Sequence, residues 1–519
     1  MTCLAVPISA ASVDWAQEQA RQALACGAEM LELRTDYLED LTPARATELL
    51  AAVRAEAGAS VPLIVTCRDI REGGAIDYPE DTRIEVLLAA LDAGAQFIDI
   101  EYANFIKPEV RHKIEVKQAW NASCRLILSA HDFEKPFADL VERYQEIKEA
   151  CPQAVPKLVY TARHINDCFA AFDLLHETDG DCIVLCMGPA GLITRLLARK
   201  LRGLVTFASL DEASGTAPGQ VTIGQFKNLY RHDAIGAETE LFGVIADPVG
   251  HSLSPAIHNA CFAEQQMNRL YLPLLVQGGR DELFAFLNGL RARPWLNFRG
   301  FSITIPHKHS LLEYVRTQGG QVEPLAEQIG AANTLIFEKD GGVSAYNTDY
   351  AGALDAITAG MGITRAGFRD MPIAVVGAGG VSRALVAGFT DAGAKVTIYN
   401  RTVERAEQLA ADFNCNFAGL DALANLHAKL VVNCTSIGMH PNVDRSPIPE
   451  AVLKPDMAVF DTVYNPAETL LLKQAKAAGA RTIDGIAMFV NQAMAQYHLF
   501  TAQPGNPTLM RQAVLDSLD

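Results

Sequence analysis

The chain lacks any run approaching the ~18 uninterrupted apolar residues that a membrane-spanning helix needs. It has no Lys/Arg run either, and 44 basic against 61 acidic side chains leave a net charge of −17. That balance argues against a surface that coats nucleic acid, although a few clustered cations can still build a pocket for a small anion. The 11 cysteines are odd in number, scattered, and never spaced C-x-x-C, which argues against a disulfide framework or a zinc site. Cys182 and Cys186 come closest to such a pair, but they alternate inside an apolar run and read as strand core. No basic residue precedes Arg21, and Leu4–Ile8 is too short for a signal-peptide core, so no targeting segment is expected. What the chain does have is bulk: 519 residues, 49% apolar and 20% charged. That suffices for about three well-filled domains and predicts a large soluble enzyme.

The first ~230 residues carry a beat of β-rich apolar segments alternating with helical stretches. The segments are Cys3–Ser9, Met30–Tyr37, Pro62–Cys67, Phe97–Tyr102, Arg125–Ser129, Lys157–Thr161, Cys182–Met187 and Leu204–Leu210. Eight β-then-α units at ~25–30 residues each predict a (β/α)8 TIM barrel, with two open sheets as the alternative. The pattern changes near His232–Glu240, and a second strand–helix series runs from Leu241 to about Ala345. Ile373–Val376 then leads into Gly377-Ala378-Gly379-Gly380, a helical Ser382–Phe389 and another strand at Lys395–Tyr399. This βαβ unit with a glycine turn predicts a Rossmann dinucleotide-binding domain. The expected division is therefore α/β throughout: a barrel over 1–235, a substrate-binding domain over 236–345 completed by helices at 485–519, and a cofactor domain over 346–484.

Alternate side chains of a barrel strand point inward, and chemistry gathers at the strands' C-terminal ends. On the second strand Glu32, Arg34 and Asp36 share a face; on the fourth, Asp99 and Glu101 do. Arg68 ends the third strand, His131 ends the fifth, Lys157 lies on the sixth and Arg195 follows the seventh. A single inward charge reads as a structural ion pair, but six strands offering polar groups to one mouth read as a site. A lysine desolvated in a barrel can attack a ketone as the free amine, and the imine acidifies the neighbouring carbon. A histidine beside it can take that proton and return it to a leaving hydroxyl, while arginines hold a carboxylate. No metal is required. Pro156 sets Lys157 near the start of its strand, lower than the barrel mouth.

In the second half the glycine turn has Ser382 where a third glycine usually stands, so alone it says little. The end of the next strand says more. It carries Asn400-Arg401-Thr402 and, one helical turn on, Arg405, in place of the Asp or Glu that would bind ribose hydroxyls in an NAD site. Two cations there fit a 2′-phosphate and predict NADP(H); a solvated helix start is the other reading. Ser252-Leu253-Ser254-Pro255 reads equally as a helix cap. Lys308 and Asp349 lie on separate segments and could form a proton-transfer pair, which spacing alone does not establish.

Glu32-Leu33-Arg34, Cys67-Arg68, Asp99-Ile100-Glu101, Ser129 to Phe133, Lys157 and Ala217-Pro218-Gly219-Gln220 resemble, in order, the type I 3-dehydroquinate dehydratases over nearly all of residues 1–230. The resemblance implies that Lys157 forms the Schiff base with the ketone of 3-dehydroquinate, that His131 is the general acid/base, and that Glu101 orients it. It implies Arg195 as the carboxylate ligand, with Glu32, Arg34, Arg68 and Gln220 shaping the pocket and Thr216 in place of the family's usual serine.

Residues ~240–519 are similar to shikimate dehydrogenases. The similarity runs through Ser252 to Pro255, Thr304-Ile305-Pro306-His307-Lys308, Gly330 to Thr334, Asn347-Thr348-Asp349, Gly377 to Gly380, Asn400-Arg401-Thr402, Asn433 to Met439 and Gly485 to Gln492. It implies Lys308 and Asp349 as the catalytic pair, Ser252, Ser254 and Thr304 around the substrate carboxylate, and Tyr464 near it. Asn333, Asp349 and Gln492 would bind ring hydroxyls. Gly377, Ala378, Gly379, Gly380, Asn400, Arg401, Thr402, Arg405, Thr435 and Gly485 would border NADP(H). Ser302 stands where asparagine is more usual.

Together the two resemblances imply a bifunctional enzyme of the shikimate pathway, like the fused proteins known from plants. It would convert 3-dehydroquinate to 3-dehydroshikimate and reduce that to shikimate, without metal, membrane or nucleic-acid partner. A quinate dehydrogenase in the second half, or a ligand-sensing regulator derived from these domains, are the alternatives. The location expected is the cytoplasm, or a plastid if a transit segment has been removed.

Overall fold

The barrel follows from the two-residue period of its strands. In the computed structural model, which describes residues 2–121, 123–250 and 252–518, eight parallel strands form one sheet: β1 (Cys3–Ile8), β2 (Met30–Arg34), β3 (Leu63–Thr66), β4 (Phe97–Glu101), β5 (Arg125–Asp132), β6 (Val155–Thr161), β7 (Ile183–Met187) and β8 (Val205–Phe207). Neighbours in sequence are neighbours in the sheet, and β1 pairs with β8. Leu204 N donates to Cys182 O at 2.8 Å, bringing the start of β8 against β7. One near-closed barrel, not two open sheets, is the result.

Each strand sends one apolar side chain into a common plug: Ala5, Met30, Ile64, Phe97, Ile127, Val155, Ile183 and Val205. Two residues further along, the inward positions become Glu32, Thr66, Asp99, Ser129 and Lys157, all buried. Another step reaches Arg34, Arg68 and His131 at the mouth. The plug supplies the hydrophobic floor, and every polar layer above it lies toward the C-terminal ends of the strands.

The chain divides into two compact units, 1–240 with 268–277 and 285–297, and 241–267 with 278–284 and 298–519. In the second unit Phe298–Ile303 lies parallel to Glu240–Ala246 and antiparallel to Thr334–Phe337, which turns back along Val343–Tyr346. A further all-parallel sheet runs in the order Asn416–Gly419, Lys395–Asn400, Pro372–Val376, Leu430–Asn433, Ala458–Asp461 and Arg481–Ile483. In order of appearance these strands are 3-2-1-4-5-6, the doubly wound order whose reversal lies beside Pro372–Val376. Apolar clusters cover both its faces. Helix Gly485–Thr501 packs closely on Thr348–Met361, because Gly352 leaves room: a Cβ there would stand 2.6 Å from Gln492 N. Among the described residues no helix is long and apolar enough to cross a membrane.

Candidate active sites

The barrel mouth gathers eight of the nine residues expected there. Glu32, Arg34, Arg68, His131, Lys157, Arg195, Thr216 and Gln220 line one cavity. Lys157 is the third residue of β6, one layer below His131, and this depth puts its Nζ 2.7 Å from Asp99 Oδ2 and 3.4 Å from Glu32 Oε1. The expectation invoked desolvation alone; the structure adds two carboxylates within hydrogen-bonding reach of that nitrogen. Burial pushes Asp99 up, but the charges of Arg68 and Lys157 outweigh it and hold the carboxyl far below its usual range.

Arg68 lies two residues past β3 and reaches Asp99 at 2.8 Å, Glu101 at 2.9 Å and Ser129 Oγ at 2.6 Å. Arg34 forms a two-bond fork with Asp36 at 2.9 and 2.8 Å. Asp36 does not continue the inward face of β2 as expected; it sits in the tight turn Thr35–Tyr37, where it clamps Arg34 from outside the strand. Thr216 and Gln220 close the loop above, with Gln220 Oε1 accepting from Thr216 N at 2.8 Å.

Glu101 requires a correction. Its carboxylate accepts from Arg68, from Asp69 N at 3.0 Å and from Asn104 at 3.1 Å, and it lies outside the cavity lining. The partner of the histidine is Glu72, whose Oε2 is 2.9 Å from His131 Nδ1 and accepts from His131 N at 3.1 Å. Glu101 is registered against Ser129, two residues before His131, whereas the loop carrying Glu72 folds over the mouth. Burial, helped by the charges of Arg68 and Lys157, drives His131 well below 6.5, and burial drives Glu72 up to about 8. The ring is therefore a neutral base at physiological pH. Glu72 was legible in principle: it follows Arg68 by four residues, beside Gly73-Gly74, on a strand-end loop of the kind that builds barrel sites.

Arg195, in helix Leu192–Leu197, is buried, and its Nε has no hydrogen-bond partner among the described residues. Burial alone lowers it to about 10. A buried guanidinium without a carboxylate is costly unless an anion completes it.

The second unit holds a cavity of about 340 Å³ lined by Ser252, Ser254, Thr304, Lys308, Asn333, Asp349, Tyr464 and Gln492, with Gly485 at its edge. Lys308 Nζ is 2.6 Å from Asp349 Oδ2, and Asn333 Nδ2 donates to Asp349 Oδ1 at 2.9 Å. Segments far apart in sequence thus meet as one hydrogen-bonded triad. Gln496 is a lining residue that escaped the sequence reading: one helical turn after Gln492, it accepts from Ser302 Oγ at 2.7 Å. Helical i, i+4 spacing was the available signal for Gln496. Burial raises the Tyr464 phenol, which stacks on Phe489 at 4.9 Å.

The glycine turn fits a dinucleotide. Gly377 has φ +116, and a Cβ there would sit 3.2 Å from the Cys434 carbonyl, so only glycine suits. Gly379 and Gly380 would meet nothing within 4 Å; their backbone faces open space. With Ala378, Arg383 and Arg405 they border a cavity of about 500 Å³. Asn400 donates to Thr402 O at 2.8 Å, shaping the strand end. Arg401 and Arg405 are exposed and in no salt bridge among the described residues. Thr435 lies apart from both cavities, on the loop after Leu430–Asn433, where its hydroxyl donates to Asn433 Oδ1 at 2.7 Å. Gly485 tolerates no side chain because Val463 O lies 2.4 Å from its would-be Cβ.

Family models match along the chain in the same order: type I 3-dehydroquinase over 4–237, the shikimate dehydrogenase substrate binding domain over 244–335, shikimate/quinate 5-dehydrogenase over 363–462 and the shikimate 5′-dehydrogenase C-terminal domain over 485–515. The chain is 35% identical to the chloroplastic bifunctional 3-dehydroquinate dehydratase/shikimate dehydrogenase of Arabidopsis thaliana, over 98% of this chain and 83% of that protein. Its second half is 39% identical to the NADP(+) shikimate dehydrogenase of Methanosarcina barkeri, over 54% of this chain and 99% of that one. A solved shikimate dehydrogenase in complex with NADP+ matches with TM-score 0.50 and 35% identity, covering 55% of this chain and 98% of its own. Matches to both family models in this order, and a relative fused in the same order that aligns with 98% of this chain, place the chain in the family of bifunctional 3-dehydroquinate dehydratase/shikimate dehydrogenases.

Proposed function

We propose that this chain carries out two steps of the shikimate pathway, dehydrating 3-dehydroquinate in the barrel and reducing 3-dehydroshikimate to shikimate with NADPH in the second unit. The observation that carries the reading is the buried, carboxylate-free Arg195 in the same cavity as Lys157 and His131. It is a charged socket that a carboxylated ketone would complete.

In the first reaction the Lys157 amine adds to the ketone and water leaves, giving a cationic imine beside Asp99. The imine draws electrons from the adjacent carbon. Neutral His131, held by Glu72, removes that carbon's proton and then passes it to the departing hydroxyl, which leaves as water. Hydrolysis of the imine frees 3-dehydroshikimate and restores the lysine. In the second reaction Lys308 donates a proton to the developing alkoxide while Asp349, steadied by Asn333, holds its ammonium in place. Bound NADPH supplies the hydride. Ser252, Ser254 and Thr304 take the carboxylate end, and Arg401 and Arg405 take the 2′-phosphate that distinguishes NADPH from NADH. The three-part division at 235, 345 and 484, with 485–519 returning to the substrate domain, belongs to the same proposal. So does a reducing compartment such as the cytoplasm, which suits eleven free thiols.

The test is conversion of 3-dehydroquinate to shikimate with NADPH by the full chain, then by K157A and K308A. Each variant should lose only its own half-reaction, and borohydride with 3-dehydroquinate should leave an adduct mapping to Lys157. An adduct elsewhere, or quinate turned over with a higher kcat/KM than shikimate, would defeat the corresponding half.

A further inference from the structure

Arg383 takes no part in either scheme above, yet its guanidinium ties two functional segments together. It is the fourth residue of helix Gly380–Asp391, which starts from the glycine turn. Its Nε donates to Ile329 O, its Nη1 pairs with Asp412 at 2.5 Å, and its plane lies over the Phe413 ring at 5.1 Å. It borders the 500 Å³ cavity with Gly379, Gly380 and Arg405, and Gly330, also in that lining, lies beside the guanidinium.

Ile329 ends helix Pro324–Ile329 and opens a short strap, 329–333, several of whose contacts lead to the reductase pair. Ala332 N donates to the backbone carbonyl of Lys308 at 3.1 Å. Asn347 Nδ2 donates to Ala331 O at 2.9 Å, and Asn347 Oδ1 accepts from Asp349 N at 3.1 Å. Asn333, at the strap's end, holds the Asp349 carboxylate. A displacement of the strap at Ile329 would therefore reach Lys308 through its backbone and Asp349 through its side chain. Arg383 Nη2 makes no hydrogen bond to another described residue, so a guanidinium already anchored at Nε and Nη1 keeps one edge for a phosphate oxygen.

We propose that Arg383 is a positioning residue that makes cofactor and substrate binding cooperative: a cofactor phosphate on its Nη2 fixes the guanidinium, which fixes the strap and with it Asn333, Asp349 and Lys308. The proposal rests on the NADP(H) reading above. A planar fork is needed, because one point must hold a backbone carbonyl, a carboxylate and a phosphate at once; an ammonium on a shorter reach cannot.

The experiment measures the Kd of NADP+ with and without saturating shikimate, and of shikimate with and without NADP+, on the full-length chain. Wild type should show a coupling factor of about fivefold or more, equal in both directions by linkage. In R383Q and R383K the factor should fall to within about twofold of unity, with R383K keeping the tighter NADP+ binding of the two because it retains the charge. Shikimate affinity without cofactor should stay within about twofold of wild type, and dehydratase turnover by the same samples reports intact protein. A coupling factor unchanged in both variants, a wild-type factor near one, or loss of shikimate binding without cofactor would each overturn the proposal. Failure of wild type to bind NADP+ would overturn the cofactor reading as well, so the two failures are told apart.

Discussion

Glu72 and Glu101 show how much of the barrel chemistry hangs on single placements. Both carboxylates are close to Arg68 in sequence or space, but only Glu72 touches His131. Replacing Glu72 by glutamine keeps the shape and removes the group that fixes the ring. Dehydratase kcat should fall on the order of 10²-fold, the scale of a mispositioned general base. The pH profile of wild type carries the sign of the electrostatics. His131 is held well below 6.5 by burial and by its cationic neighbours, so its basic form persists into mildly acid solution. The acid limb of dehydratase kcat/KM should lie below pH 6.5, and a limb at or above 6.5 would contradict the assignment of His131 as a buried neutral base.

At the level of elements, the glycine turn separates two kinds of glycine. Gly377 is required by the protein itself, through its positive φ and the Cys434 carbonyl 3.2 Å from a would-be Cβ. Gly379 has φ −99 and no protein atom near its would-be Cβ, so only a bound cofactor needs it small. G377A should therefore destabilise the second unit by about 1–2 kcal/mol. G379A should leave its melting temperature unchanged to within about 0.5 kcal/mol of stability while weakening NADPH binding. Calorimetry and cofactor titration on the two variants check the contrast, and equal effects on stability would refute it. The same logic explains why Gln492 reaches the substrate cavity. Gly352 lets helix Gly485–Thr501 approach closely enough to present it.

For the whole molecule, two buried histidines outside the proposed catalytic groups contribute to acid stability. Burial, then the charge of Arg199, lowers His232 to about 4, and burial lowers His258 to about 3. One belongs to each compact unit. Between those values and pH 6.5 the unfolded chain binds protons that the folded chain does not. Stability is thus complete above pH 6.5 and lost as pH falls, by about 1.4 kcal/mol per pH unit for each histidine. Thermal unfolding at pH 7 and pH 5 should show this loss, and H232Q and H258Q should flatten it. An unchanged pH dependence in both variants would rule the histidines out as its source.

Periodicity and motif order determined the architecture. Eight alternating units could bury their apolar faces only around a common plug, and Lys157 and His131 were readable because a strand's side chains alternate with a period of two. The cofactor preference was readable in the same way, from a strand end carrying arginines where a carboxylate would otherwise stand. Tertiary structure decided the partners. Glu72 reaches His131 by loop closure, Asp36 leaves its strand to clamp Arg34, and Gln496 and Ser302 meet across almost two hundred residues. Lys157 gains two carboxylates that its local sequence does not hint at. The physical reason is the same in each case: a repeating backbone geometry dictates which way a side chain points, but a hydrogen bond depends on distances of a few tenths of an ångström between segments that sequence spacing leaves free.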